Sequence, residues 1–157
     1  MPTPRVGNCI FCDDIRSEVG NKVSLMGVYS ADMLFSVPPP VAFRTLGIVA
    51  WIIFDVDDRP THLTMRVLVP PARTEVLKIE TNIEGELPLQ YERDEYSKGQ
   101  FRFTSTINGI QFTEEGFLEV MIDTERETVR TGRLRIRFNI LDEAMSDHPT
   151  SWAIHAI

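Results

Sequence analysis

A chain of 157 residues with 43% hydrophobic and 25% charged residues is long enough to bury one sizeable core. It is too balanced to be disordered, collagenous or a coiled coil. Its net charge of -7 repels a phosphate backbone and argues against nucleic acid and anionic membrane as partners, and two cysteines cannot build a disulfide framework.

The opening Met1-Pro2-Thr3-Pro4-Arg5 carries no apolar stretch of the kind that targets a chain for export, so a cytoplasmic protein with reduced thiols is expected. Segments 8–15 and 22–29 read as strands flanking Gly20-Asn21, a predicted hairpin. Pro38-Pro39-Pro40 cannot donate ladder hydrogen bonds and reads as an extended crossover. Segment 46–56 is apolar on both faces, as a central strand covered on both sides would be, or a long one crossing the core. The apolar run 46–54 is far short of the roughly 20 residues a spanning helix needs.

Asp57-Asp58-Arg59-Pro60, Pro70-Pro71 and Glu115-Gly116 punctuate the rest as turns. Between them the period is two, with Leu63, Met65, Val67 and Val69 on one face, then Leu77, Ile79, Thr81 and Ile83. Phe101, Phe103, Ser105 and Ile107 follow, and they run into Asn108-Gly109, which predicts a type I′ hairpin. Leu118, Val120 and Ile122 alternate with Glu119, Met121 and Asp123. Leu134, Ile136 and Phe138 are expected to face inward, with Arg133, Arg135 and Arg137 in water. Phe138→Ala should then cost about 3–5 kcal/mol. The expected fold is all-β, an antiparallel β-sandwich (an immunoglobulin-like or C2-like two-sheet arrangement) of about eight or nine strands. It spans residues 1-141, and residues 142-157 form a C-terminal tail that docks on its own domain or on a partner.

Few constellations point to chemistry. Cys9 and Cys12 have the spacing of a zinc half-site or redox pair, but residues three apart on a strand point to opposite faces, so no metal site is expected. Asp13-Asp14 and the loop Asp55, Asp57, Asp58 offer carboxylates, with His62 nearby as a base. The Asp57-Asp58 pair is placed at a hairpin tip, where aspartates also serve simply as turn formers. Arg126, Arg130, Arg133, Arg135 and Arg137 make a basic stretch in an acidic chain. They read either as a site for an anionic ligand or acidic partner, with Arg130, Arg133, Arg135 and Arg137 at its centre, or as cross-strand partners of Glu119 and Asp123. No Gly-x-Ser-x-Gly, phosphate loop or His-Glu-x-x-His is present, so no catalytic residue and no cofactor are assigned.

The opening string Phe11-Cys12-Asp13-Asp14-Ile15-Arg16, the Gly20-Asn21-Lys22 turn and the strand Ser24-Leu25-Met26-Gly27-Val28-Tyr29 together resemble a bacterial domain family of unknown function. Its members open with Phe-Cys-Asp-Asp-x-Arg. The resemblance implies a small, mostly β, bacterial cytoplasmic or phage-associated protein, and brings no activity, cofactor or catalytic residue. A structural role suits the string: Asp13 and Arg16 pair or cap, while Gly20 and Gly27 suit a turn and a crowded strand.

The function these features support is a non-enzymatic binding or assembly module with a protein partner, another copy of itself included. The alternative is a small-ligand or metal-dependent enzyme using the Asp55/Asp57/Asp58/His62 loop. Trp152, Ile154 and Ile157 in the tail are the candidate partner contact, since an apolar terminus gains about 1.5–3 kcal/mol per large side chain buried. Deleting residues 150–157 should shift the solution mass toward monomer if the tail bridges copies, the version expected here. It should lower only the melting temperature if the tail docks on its own chain, and leaving both unchanged would show the tail idle.

Overall fold

The structure is a computed structural model that describes residues 3–20, 22–83 and 97–139. Of these, 72% lie in strands and none in an α-helix, so the protein is mostly β. The strands are β1 (Val6–Cys12), β2 (Asp14–Glu18), β3 (Lys22–Met26), β4 (Asp32–Phe35), β5 (Val41–Asp55), β6 (His62–Val69), β7 (Thr74–Asn82), β8 (Lys98–Phe112), β9 (Gly116–Thr124) and β10 (Thr128–Phe138). A 3-10 turn, Val56–Asp58, follows β5.

Three sheets form, in the orders β1-β5-β8, β4-β10-β9-β6-β7 and β2-β3. None closes into a barrel. All neighbours are antiparallel except β4 and β10, which run parallel from Asp32↔Arg135 to Phe35↔Phe138. This departs from the purely antiparallel arrangement expected from sequence. The chain reaches β4 after the β2–β3 hairpin rather than from a neighbouring strand, so the direction of β4 is not dictated by a tight turn. The Pro38-Pro39-Pro40 segment connects β4 to β5 and therefore passes from the five-stranded to the three-stranded sheet, as its missing donors suggest.

The two larger sheets share one apolar core. Leu46, Ile48, Ala50, Ile52 and Phe54 of β5 meet Leu63, Met65 and Val67 of β6, Leu118, Val120 and Ile122 of β9, and Leu134 and Ile136 of β10. β5 is the central strand of its sheet and is buried on both faces around residues 46–50. Its second face is covered in part by the β2–β3 hairpin, where Ile15 and the Cys12 thiol lie against Gly47.

Asn108-Gly109 makes no hairpin. β8 continues through it and pairs with β5 without a register shift from Lys98↔Asp55 to Phe112↔Val41. Gly109 has φ +69, a left-handed conformation that glycine adopts without steric cost. There β8 changes face: Phe103 is buried on the near side of the kink, and Ile110 and Phe112 on the far side. Opposite it, β5 turns over between Phe43 and Leu46, so Phe43 and Phe112 both pack on Phe35, at ring-centroid separations of 5.9 and 5.7 Å. A full-length partner strand outcompetes a turn at this position, because a hairpin there would leave the start of β5 without a ladder neighbour.

Two further boundaries differ from expectation. Segment 8–15 breaks at Asp13 into β1 and β2, and Asp57-Asp58 is not a hairpin tip but the passage from β5 to β6 in the other sheet. The inward set on β10 is Leu134 and Ile136, whereas Phe138 is half-buried and stacks on Phe35 at 5.6 Å. Its truncation therefore costs less than that of an enclosed ring. In urea denaturation Ile136→Ala should lose about 2–5 kcal/mol and Phe138→Ala less than about 3 kcal/mol. Gly109→Ala should lose about 1–2 kcal/mol through the forced left-handed backbone.

Candidate functional site

Arg130, Arg133, Arg135 and Arg137 come together on the outer face of the five-stranded sheet. In an ideal strand Arg130 would face away from the other three. A β-bulge between Arg130 and Gly132 inserts Thr131, which turns inward, is buried, and donates from Oγ1 to the Val120 carbonyl at 3.1 Å. The extra residue resets the alternation, and all four arginines are exposed.

Cross-strand ion pairing holds for part of this set. Glu119 accepts Arg73 at 2.9 Å and Arg130 at 3.5 Å, and Arg137 lies 3.6 Å from Asp32. Asp123 is taken by Arg66 through two hydrogen bonds of 2.5 and 2.9 Å, and not by an arginine of β10. Arg133 lies directly across from Glu119 in register, but that carboxylate is already engaged. The guanidinium instead sits 4.4 Å from the centroid of the Phe117 ring. Arg133 and Arg135 have no acidic partner among the described residues. Phe117 is 41% exposed and borders a cleft of about 270 Å³ lined by Pro70, Pro71, Arg73 and Glu119.

The sequence carries a signal for Phe117. This residue shares the odd-numbered, polar face of β9 with Glu119 and Asp123, where an aromatic residue is out of place.

The acidic loop is not assembled as a site. Asp58 is held by Arg126 at 2.5 Å and Arg5 at 3.6 Å, and Lys98 pairs with Asp55. That hydrogen bond, with a further one from Thr3, holds the Asp55 carboxyl below its usual range. Asp57 is exposed. His62 turns away, with Nδ1 2.8 Å from Asn82 Oδ1 and Nε2 3.0 Å from Thr64 Oγ1.

Arg5 was missed by sequence reasoning. Its side chain is 1% exposed and donates to Glu125 at 2.6 Å and to the Asp58 carbonyl at 3.1 Å, so it ties the N-terminal segment to two loops. Among the described residues no group of three or more His, Cys, Asp or Glu is placed to hold a metal ion, and no helix is long and apolar enough to cross a membrane.

Cys9 and Cys12 lie on opposite faces of β1. Cys9 is opposite Ala50 and meets Gly132 of β10, whereas Cys12 is opposite Gly47 on the outer face. Both are free thiols. Burial, and then the Cys12 charge, pushes Cys9 up to about 12, and burial with Asp13 raises Cys12; the thiolate needed for metal or redox chemistry is disfavoured at both.

The Asp13-Asp14-Ile15-Arg16 string works locally. Tyr29 donates to Asp13 Oδ1 at 2.5 Å, and the Asp13 amide donates to the Met26 carbonyl at 2.9 Å. Gly27 has φ +65, and a Cβ there would overlap the Asp13 carboxylate. Arg16 pairs with Asp14 at 3.1 Å and not with Asp13. Burial and the hydrogen bond to Asp13 raise the Tyr29 phenol. Trp152, Ile154, Ile157 and the rest of the tail lie outside the described residues.

Compared with known proteins, residues 8–137 match the model of a family of unknown function (DUF6941). No curated protein and no solved structure matches the chain.

The Arg66 hydrogen bonds hold the Asp123 carboxyl below its ordinary value, against the upward push of burial and with help from Thr128. A carboxyl made more acidic by folding contributes stability that is full above about pH 4, its value in an unfolded chain. That stability fades as the pH falls toward the folded value. Asp123→Asn should lose about 1 kcal/mol at pH 7, the scale of a partly exposed paired charge. Its acid-unfolding curve between about pH 5 and pH 2 should be flatter than that of the parent.

Proposed function

The chain belongs to this family of unknown function, and we propose that it is a non-enzymatic protein-binding module whose contact surface is the outer face of β9 and β10. One observation carries the reading. Arg133 lies over a half-exposed Phe117 with Arg135 beside it, and neither cation is neutralised by a described carboxylate. Arginine and aromatic side chains supply much of the energy at protein interfaces. A guanidinium already resting on a ring has lost part of its hydration and conformational freedom, so a carboxylate that reaches it pays less to bind.

The chemistry fits an acidic protein surface with an apolar side chain that enters the neighbouring cleft. A nucleic acid fits poorly, because the chain as a whole carries -7. In this reading the three- and five-stranded sheets form an open sandwich, immunoglobulin-like or C2-like in outline, that presents the patch rigidly. The setting is the bacterial cytoplasm or a phage-infected cell, with no cofactor required.

Affinity capture from the native host with the parent protein and with R133E/R135E tests the proposal. A partner should be retained by the parent after nuclease treatment, released by raised salt, and weakened at least about tenfold by the charge reversal. Melting curves should show both proteins equally folded. Equal retention by parent and R133E/R135E would refute the assignment of this face.

A further inference from the structure

The strand edges are not equally protected. β4 has only four residues, and β7 carries Glu75, Lys78 and Glu80. β1 ends its sheet but lies against β10, with Gly7 and Cys9 packed on Thr131 and Gly132. β8 is different. It is an edge strand of fifteen residues with β5 on one side and no described strand on the other. Residues 103–108, before the kink at Gly109, contain no charge and no proline, and the β5–β8 ladder has no register shift there. Near its end a cleft of about 430 Å³ parts residues 107–111 from Pro70, Pro71 and Val76 of the other sheet. An uncovered edge stretch without charge or proline is a template for another strand.

We infer that β8 pairs antiparallel with β8 of a second copy of this chain about a twofold axis at Ser105, making one six-stranded sheet across two molecules. Self-pairing is isologous, so each residue meets its counterpart reflected through the axis. About Ser105, Thr104 faces Thr106 and Phe103 faces Ile107, an aromatic and a β-branched residue of the kind that stabilises cross-strand contact. Arg102 faces Asn108, so no like charges oppose each other over residues 102–108, the stretch before β8 turns over at Gly109, despite the net charge of -7. Thr104 and Thr106 are exposed on the outer face, where substitution leaves the core untouched. This contact is separate from the Arg133 face and does not depend on it.

Sedimentation equilibrium of the full chain at tens of micromolar tests the pairing. The parent should sediment at twice the chain mass of 17.9 kDa. T104K/T106K, which sets lysine against lysine across the axis, should sediment at 17.9 kDa with its melting curve retained. T104K/T106E, which sets the new lysine of one copy against the new glutamate of the other, should keep the doubled mass and shows that substitution here is tolerated. R133E/R135E should also keep it, which separates this contact from the partner-binding face. A monomeric parent, a doubled mass that survives T104K/T106K, or loss of the doubled mass in T104K/T106E would each overturn the inference.

Discussion

β5 and β8 run side by side over their whole lengths, and both turn over at the same level. If β8 had turned back at Gly109, the start of β5 would have no ladder partner, and Phe43, Ile110 and Phe112 would have no common interior to enter. Because the two strands switch face together, one continuous ladder lines the main core at one end and closes around Phe35 at the other. The other strands are placed by this ladder. β1 extends it on the far side of β5, the β2–β3 hairpin covers part of the outer face of β5, and the five-stranded sheet fills the inner face. Buried apolar area supplies most of the stability in such an arrangement, and β5 contributes on both faces.

Charge is distributed unevenly over that scaffold. At the corner where the N-terminal segment meets the loop after β5 and the turn between β9 and β10, Arg5, Arg126, Asp58, Glu125 and Glu127 are consumed in mutual contacts. Lys98 is paired with Asp55 nearby. Such a network fixes loops and takes up Asp58, Glu125 and Glu127 in ion pairs. On the outer face of β9 and β10 the balance reverses, because Glu119 serves two arginines from other positions and Arg133 is left to an aromatic ring. The bulge at Thr131 produces this excess by bringing Arg130 onto the face and into competition for Glu119.

The opening string of the chain is a structural device. Asp13 breaks the first strand, binds Tyr29, and presses its carboxylate against Gly27, so that the hairpin β2–β3 leaves the sheet at a defined angle. Cys12 and Ile15 then seat that hairpin on Gly47. Each residue type in the string has a steric or hydrogen-bonding task within the fold.

Much of this was legible from side-chain period alone. The alternations at Leu63 to Val69, Leu118 to Ile122 and Leu134 to Ile136 identified which faces are buried, because a one-residue slip would move every apolar side chain into water. The two-sided apolar run at 46–54 marked the central strand for the same reason, and strand spacing placed Cys9 and Cys12 on opposite faces. Period says nothing, however, about what lies across a ladder. Asn108-Gly109 has the same local chemistry whether it turns the chain or kinks it, and the availability of β5 as a partner decided the matter. The bulge that aligns Arg130 with Arg133, the parallel seat of β4, the buried arginine at position 5 and the removal of Asp58 from any free acidic cluster all depend on residues far apart in the chain. Local patterning determined which residues are inside; pairing between distant strands determined which charges were neutralised and which were left exposed.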